Sequence, residues 1–301
     1  MKIVVTGGTG FVGREVVGRL LETRQAPARV VVTTRELSDP DPWGGRVERV
    51  QAFAGDPLSL GRAFAGAEVV VHAIQFRNHP VEDPARGRTY LEVDGRGTEV
   101  AARTARRLGV RRFVYLSGAG AGQSRPEPWF QAKDRAEAAI RESGMEFCLL
   151  RPSWIYGPRD RSMNRLVFFC RHWPVVPVIG DGSNTVHPIY VKDVARCVVQ
   201  AVRREDAKDK GLELGGPERL SMDRILRTLQ AVLGRRRPLL HQPPWLVKLL
   251  IRPLRLLPEP PVSPAAIDFL LQEVELDPRP AMGFFGFEFR SLEAGLRDYL
   301  P

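Results

Sequence analysis

The chain has 301 residues, enough for one large domain or two smaller ones, and its 43% apolar content is ordinary for a soluble protein. Its net charge of +10 rests on 45 Lys and Arg against 35 Asp and Glu, which raises nucleic acid, an anionic membrane or acidic ligands as partners. Only six of the 45 are lysines, the arginines are scattered through every segment, and no recognition motif accompanies them, so a nucleic-acid partner is not expected.

The first predicted element is a short apolar strand, Ile3-Val4-Val5. Thr6-Gly7-Gly8-Thr9-Gly10-Phe11-Val12-Gly13 follows at once and opens an amphipathic stretch that ends near Arg24. Strand, glycine-rich turn and helix in that order build a socket for a dinucleotide. Gly7 lets the chain turn sharply out of the strand, Gly10 removes a side chain where the backbone must approach a pyrophosphate, and Gly13 lets the helix pack on the sheet. The helix N-terminus, with Thr9, Phe11 and Val12 in the same turn, then offers N–H groups and a positive dipole end to the phosphates.

Ala28 to Thr33 is a β-branched run that predicts the second strand, and it leads into Arg35. An NAD-specific site of this kind carries an acidic residue here for the adenosine ribose. A guanidinium instead suits the 2′-phosphate of NADP, and Arg14, directly after the third glycine, is placed to reach the same group. NADP is therefore the expected cofactor. Glu36 keeps NAD open, as does the reading of Arg35 as a solvated loop residue.

Val47 to Ala52 is the third strand. In the Gly55-Asp56-Pro57 turn after it, Asp56 reads equally as an acceptor for the adenine amino group and as a plain turn former. Glu68 to His72 is the fourth strand, and its end leaves Ala73 and Ile74 at a sheet edge against which a cofactor can lie. His72 itself reads as a structural hydrogen-bonder before a proton donor. A long helical pattern runs from about Thr89 to Leu108 with Gly109 as its cap. Arg112 to Leu116 is the fifth strand, Trp129 to Glu142 a helix ended by Ser143-Gly144, and Glu146 to Leu150 the sixth strand.

Strands alternating with helices of this length predict an α/β fold, a Rossmann-type doubly wound parallel sheet with a smaller, mostly helical C-terminal lobe. The sheet domain is expected over residues 1–158, with 186–215 returning to it through a helix at Val191 to Arg203 and a strand at Gly211 to Leu214. Residues 159–301 form the interleaved lobe.

Cys148, Cys170 and Cys197 are odd in number and widely spaced, as buried free thiols in a reducing compartment would be. The chain enters its first strand directly, with no room for a signal peptide and no run long enough to span a bilayer, so a cytoplasmic location is expected. Residues 244–257 set Lys248, Arg252 and Arg255 as one cationic stripe on an apolar helix kinked by Pro253. This segment reads as a roof over a substrate cleft or as a peripheral membrane contact.

Taken together, these segments resemble the extended and atypical short-chain dehydrogenase/reductase superfamily, often labelled NAD-dependent epimerase/dehydratase. The motifs that carry the resemblance are Thr6 to Gly13, Gly55-Asp56, Asp94-Gly95-Arg96-Gly97-Thr98, Phe113 to Ser117, Arg151-Pro152-Ser153-Trp154-Ile155-Tyr156-Gly157-Pro158 and His187 to Ala195. They span about two-thirds of the chain in the right order. Leu116 to Ala119, the helix carrying Lys133 and the closing Gly286 to Leu300 pattern are most similar to the branch containing the NAD(P)H-binding accessory subunit of respiratory complex I.

Redox members of the superfamily use a serine after the fifth strand, a tyrosine on the next helix and a lysine four residues later. Ser117 and Lys133 match the serine and the lysine, but the tyrosine position is Trp129. Indole offers one N–H donor, no acceptor and no useful ionisation, so the usual proton transfer is broken as written. The resemblance implies that Lys133 still holds the nicotinamide ribose, and that Pro152, Ser153 and Ile155 contact the nicotinamide amide through backbone atoms. Tyr156, in a turn after the sixth strand, is the candidate replacement donor if it is not simply a wall residue; Asp94, Glu127 and His187 are weaker ones.

Three functions are expected from this pattern. They are an NADP-dependent oxidoreductase with a modified site acting on a small, apolar substrate, a non-catalytic NADP(H)-binding sensor or accessory subunit, and a nucleotide-sugar epimerase or dehydratase. Homodimerisation through the helices at 89–108 and 129–142 is carried over from the superfamily by analogy.

Overall fold

The structure, a computed structural model, describes residues 1–23, 27, 29–76, 78–253, 257, 260 and 262–300. Six strands, β1 (Lys2–Thr6), β2 (Arg29–Thr34), β3 (Glu48–Gln51), β4 (Val69–His72), β5 (Arg112–Leu116) and β6 (Glu146–Pro152), join an edge strand, Lys210–Leu214. They form one seven-stranded parallel sheet in the order edge strand, β6, β5, β4, β1, β2, β3. The order reverses beside β1, and that switch point opens a crevice at the strands' C-terminal ends.

The strands are apolar on both faces because both faces are covered. Val16, Val17 and Leu20 of α1 (Phe11–Glu22) join Val194, Val198 and Val202 of α6 (Val191–Arg203) on Ile3, Val5, Val32 and Val71. On the opposite face, Leu60 and Phe64 of α2 (Pro57–Phe64), Ala101 and Ala105 of α3 (Gly97–Arg107), and Ala136 and Ile140 of α4 (Pro128–Glu142) cover Val4, Val31, Val70 and Phe113. Ile3 and Val5 against Val4 is the period-two alternation of a strand.

The remaining helices are α5 (Arg161–His172), α7 (Met222–Val232), α8 (Pro244–Leu250), α9 (Pro264–Leu270), α10 (Arg279–Phe285) and α11 (Leu292–Arg297). Of these, α5, α7 and α11 share a second core around Tyr156, Met163, Val167, Ile225, Leu229 and Leu296. Three two-stranded ladders complete the lobe.

The expected helix from Thr89 to Leu108 is two segments. Tyr90–Arg96 is wound as a π-helix, closed where the Gly97 N–H donates to the Glu92 carbonyl, and α3 begins only after it. Close packing sets the change. A Cβ on Gly97 would lie 3.1 Å from the Cβ of Ala54, and one on Gly95 3.4 Å from the Cα of Ala132 in α4. The extra residue per turn turns Asp94 inward.

Residues 244–257 also depart from expectation. The helix α8 ends before Pro253, Lys248 is paired with Asp268 of α9, and Arg252 is exposed, so no continuous cationic stripe runs along one helix. Arg255 lies outside the described residues, as do Arg24 and Ala28 at the expected ends of α1 and β2. Among the described residues no helix is long and apolar enough to cross a membrane.

Candidate functional site

The turn between β1 and α1 is packed tightly enough that side chains are excluded from it. Gly7 has φ +70°, and a Cβ there would lie 2.5 Å from the carbonyl oxygen of Ala73 at the end of β4. A Cβ on Gly13 would run into the carbonyl of Gly7. The Gly10 N–H donates to the Gly7 carbonyl at 2.9 Å, and the Gly7 N–H to Thr33 Oγ1 of β2 at 3.3 Å. Gly10 is the N-cap of α1 and brings no side-chain hydrogen bond, so the first N–H groups of that helix stay open to an anion. Thr9 is half-buried in this turn, while Phe11 and Val12 lean on the lobe's core.

Arg35 stands exposed just beyond β2, its guanidinium without a hydrogen bond or ion pair among the described residues. Arg14 is half-buried in the first turn of α1, and its Nε is buried without a partner. The Asp56 carboxylate caps α2, accepting from the N–H groups of Leu58 at 3.1 Å and Ser59 at 3.2 Å. The Ser59 hydroxyl and these N–H groups hold its carboxyl below the usual range.

At the end of β4, the Ala73 N–H donates to the Thr6 carbonyl at 3.1 Å, and Ile74 beside it is half-buried. His72 is fully buried, with Nδ1 2.8 Å from Thr6 Oγ1 and Nε2 3.2 Å from Thr98 Oγ1. Both ring nitrogens are engaged between layers. Burial, helped by the Lys133 charge, pushes its pKa down to about 3.

Ser117, Trp129 and Lys133 converge at the end of β5. The Ser117 N–H donates to the Leu150 carbonyl at 2.8 Å, and its buried Oγ has no partner. Trp129 sits in the first turn of α4 with the six-membered ring of its indole against Gly118, where a Cβ would collide with it. Its Nε1 is buried without a partner, and its ring packs on Phe130 at 4.8 Å and Phe269 at 5.6 Å.

One turn along α4, the buried Lys133 donates to Asp94 Oδ1 at 2.9 Å and to the Tyr115 hydroxyl at 3.3 Å. Burial disfavours its ammonium, but Asp94 and then Tyr115 more than offset this and raise its pKa. Burial also pushes the Asp94 carboxyl up, against the pull of Lys133. Of the three ammonium N–H donors, one is left for a ligand.

Tyr156 is not a proton donor to this site. It is fully buried in the lobe core, donates to the carbonyls of Ser291 at 3.3 Å and Leu292 at 3.4 Å, and packs on Tyr190. Burial raises its pKa further. His187 has Nδ1 3.1 Å from the Gly216 carbonyl, and Glu127 is bound by Arg125.

The Pro152 carbonyl accepts from Ala119 and the Ser153 N–H donates to the Leu214 carbonyl. The Ser153 N–H is thus held by the sheet, which leaves its carbonyl as the backbone group for a ligand. Ile155 lies half-buried in the ladder to Ile189.

Sequence reasoning missed an aromatic wall around Trp129. Tyr90 is 5% exposed, with its hydroxyl unpartnered, and its ring meets Phe76 at 4.9 Å and His79 at 5.5 Å. Phe269 of α9 closes on His79 at 5.2 Å and on Tyr90 at 6.1 Å. The one local signal is Tyr90 lying four residues before Asp94. Phe269 is remote in sequence and carries none.

A family model described as NAD(P)H-binding matches residues 7–205. The chain is 30% identical over 222 residues to the mitochondrial NADH dehydrogenase [ubiquinone] 1 alpha subcomplex subunit 9 of Arabidopsis thaliana, covering 71% of this chain and 53% of that protein. It is 31% identical over 204 residues to the ceramide reductase of Caulobacter vibrioides, covering 67% of this chain and 61% of that one. The chain thus spans little more than half the length of these relatives. Among solved structures, the UDP-glucose 4-epimerase of Thermotoga maritima aligns over 99% of this chain and 98% of its own with a TM-score of 0.76 and 22% identity, a likeness of fold.

Proposed function

The chain belongs to the NAD(P)H-binding family, and from that premise we propose that it is an NADP(H)-dependent reductase of small, apolar carbonyl compounds. The superfamily and branch suggested by its motifs agree with that membership. A nicotinamide dinucleotide is its cofactor, held at the glycine turn and along the C-terminal ends of the strands.

The observation that carries this reading is the uncapped N-terminus of α1, together with the Arg35 guanidinium just beyond β2 and Arg14 Nε in the first turn of α1, both without a partner among the described residues. A 2′-phosphate offers both the charge they lack. When bound, the nicotinamide supplies a hydride. Lys133 holds its ribose through the third ammonium N–H, Ser117 Oγ faces the reacting end, and Ala73, Ile74, Pro152 and Ile155 wall the ring. The resemblance to a reductase, ceramide reductase, supports reduction. A second reading, a non-catalytic nucleotide-binding accessory protein, is favoured by Trp129, since indole cannot serve as the phenol would, and by the likeness to an NADH dehydrogenase subunit.

Calorimetry with NADPH and NADH tests the cofactor. NADPH binds more tightly, and Arg35→Ala removes about tenfold of that preference, the scale of one charge-assisted hydrogen bond. Equal affinities in the parent chain overturn the NADP assignment. Loss of reduced-nicotinamide absorbance with added ketones or quinones separates enzyme from accessory protein.

A further inference from the structure

Among the described residues, eleven buried side-chain polar atoms have no hydrogen-bond partner, and five of them belong to His79, Tyr90, Asp94, Ser117 and Trp129. Leaving such an atom unpaired is costly, and a concentration of them at one place marks a site built for a ligand's polar group. Two of the five are hydroxyls on side chains more than nine-tenths buried: Tyr90 is 5% and Ser117 7% exposed. Both residues are linked to the same indole through one neighbour, Phe269 for Tyr90 and Gly118 for Ser117. Tyr90 shares an apolar cluster with Trp129, and Trp129 lies on Gly118, the neighbour of Ser117.

We propose that Tyr90 takes over the hydroxyl role vacated at position 129, forming with Ser117 a subsite for a carbonyl oxygen inside a box walled by Phe76, His79, Trp129 and Phe269. The inference rests on the reductase reading and deepens it by naming the ligand class: a flat, apolar ketone or quinone.

The chemistry of the box selects that class. Rings standing edge-on to one another at 4.9 to 5.6 Å, Phe76 on Tyr90 and Trp129 on Phe269 among them, offer faces and edges to a planar apolar body. Hydroxyl hydrogens from Tyr90 and Ser117 satisfy the two lone pairs of one carbonyl oxygen, and the pairing satisfies both hydroxyls in return. The Asp94–Lys133 pair stands behind the box, and its Nζ stays bound to Asp94 and Tyr115. Reduction of the carbonyl takes a hydride from bound NADPH onto the carbonyl carbon and a proton from Tyr90 Oη onto its oxygen, and the phenolate, buried while the site is closed, is reprotonated from solvent as the alcohol leaves.

The test is a ligand-observed NMR titration of the full chain with acetophenone and its hydrocarbon isostere α-methylstyrene, with and without NADPH. The quantity read is the ratio of the two affinities, which cancels their shared apolar burial. In Tyr90→Phe this ratio falls about tenfold while α-methylstyrene affinity holds, and Ser117→Ala lowers it in the same direction. An unchanged ratio in Tyr90→Phe overturns the proposal, as does failure of both probes to bind the parent chain. Unaltered hydrocarbon binding shows that each variant is folded. A chain that binds ketone with the expected ratio but no NADPH sinks the reductase reading and leaves the subsite standing.

Discussion

The indole of Trp129 rests so closely on Gly118 that a methyl group there would enter its six-membered ring. This pairing shows how the bulky indole is accommodated at the start of α4. The strand end at 118 has no side chain, and the larger ring occupies the space left free.

Gly118→Ala forces the indole off that surface. Its stability cost is about 1 to 3 kcal/mol, the range for overpacking. Urea denaturation measures this loss, and a red shift of tryptophan emission reports the displaced ring. Stability and emission both matching the parent would mean that Trp129 is not seated on Gly118.

Lys133→Met leaves the fully buried Asp94 without its counter-ion. Removing one member of a buried pair costs about 3 to 5 kcal/mol. The double change Lys133→Met with Asp94→Leu recovers most of that stability and still binds NADPH less tightly, because the ribose contact proposed for Lys133 is lost. Recovery of affinity along with stability would assign Lys133 a structural role alone.

At the glycine turn, Gly13→Ala brings a methyl group against the Gly7 carbonyl, a backbone atom that cannot swing aside. Affinity for NADPH falls at least tenfold, or about 1.4 kcal/mol, in calorimetry. Gly18→Ala, on the same helix with open space around it, is the matched control and leaves affinity unchanged.

The pH dependence of stability follows from two histidines. Burial first, and the Lys133 charge second, hold His72 and His79 at about 3 against a usual 6.5. Both are neutral in the folded chain, whereas the unfolded chain protonates them below 6.5. Stability is therefore complete above that pH and is lost as pH falls toward 3, by up to about 1.4 kcal/mol per pH unit for each histidine. Urea midpoints taken near pH 7 and near pH 5 check the slope, and His72→Gln flattens it. A midpoint that rises on acidification contradicts the assignment.

The three buried thiols obey the same logic. Burial pushes Cys148 up to about 12 and Cys170 to about 11, and raises Cys197 as well. Alkylation at neutral pH leaves the native chain unlabelled and labels it in denaturant.

Local pattern carried the sheet. Six strands and most of the helices between them, though not α2, were legible because period-two and period-3.6 repeats, glycine turns and caps are written in neighbouring residues. The same was true of the glycine turn, whose requirement for three small residues is a backbone requirement. The glycines at 95 and 97 did not reveal the π-helical turn that points Asp94 at Lys133, because their effect depends on Ala132 and Ala54 of other elements. The helix that Asp56 caps was not read from the sequence, where Gly55-Asp56-Pro57 stood as a turn.

What the amino-acid order determined alone is therefore the Rossmann sheet, the nucleotide-binding turn and the absence of a phenol at 129. Tertiary structure decided where each tyrosine lies. Tyr156, inside a motif, was drawn into the lobe core by the carbonyls of Ser291 and Leu292. Tyr90, outside every motif but the helical one, was set beside Trp129 by packing with Phe269 from α9. Burial and the pairing of polar atoms depend on segments far apart along the chain, and no spacing within a single segment encodes them.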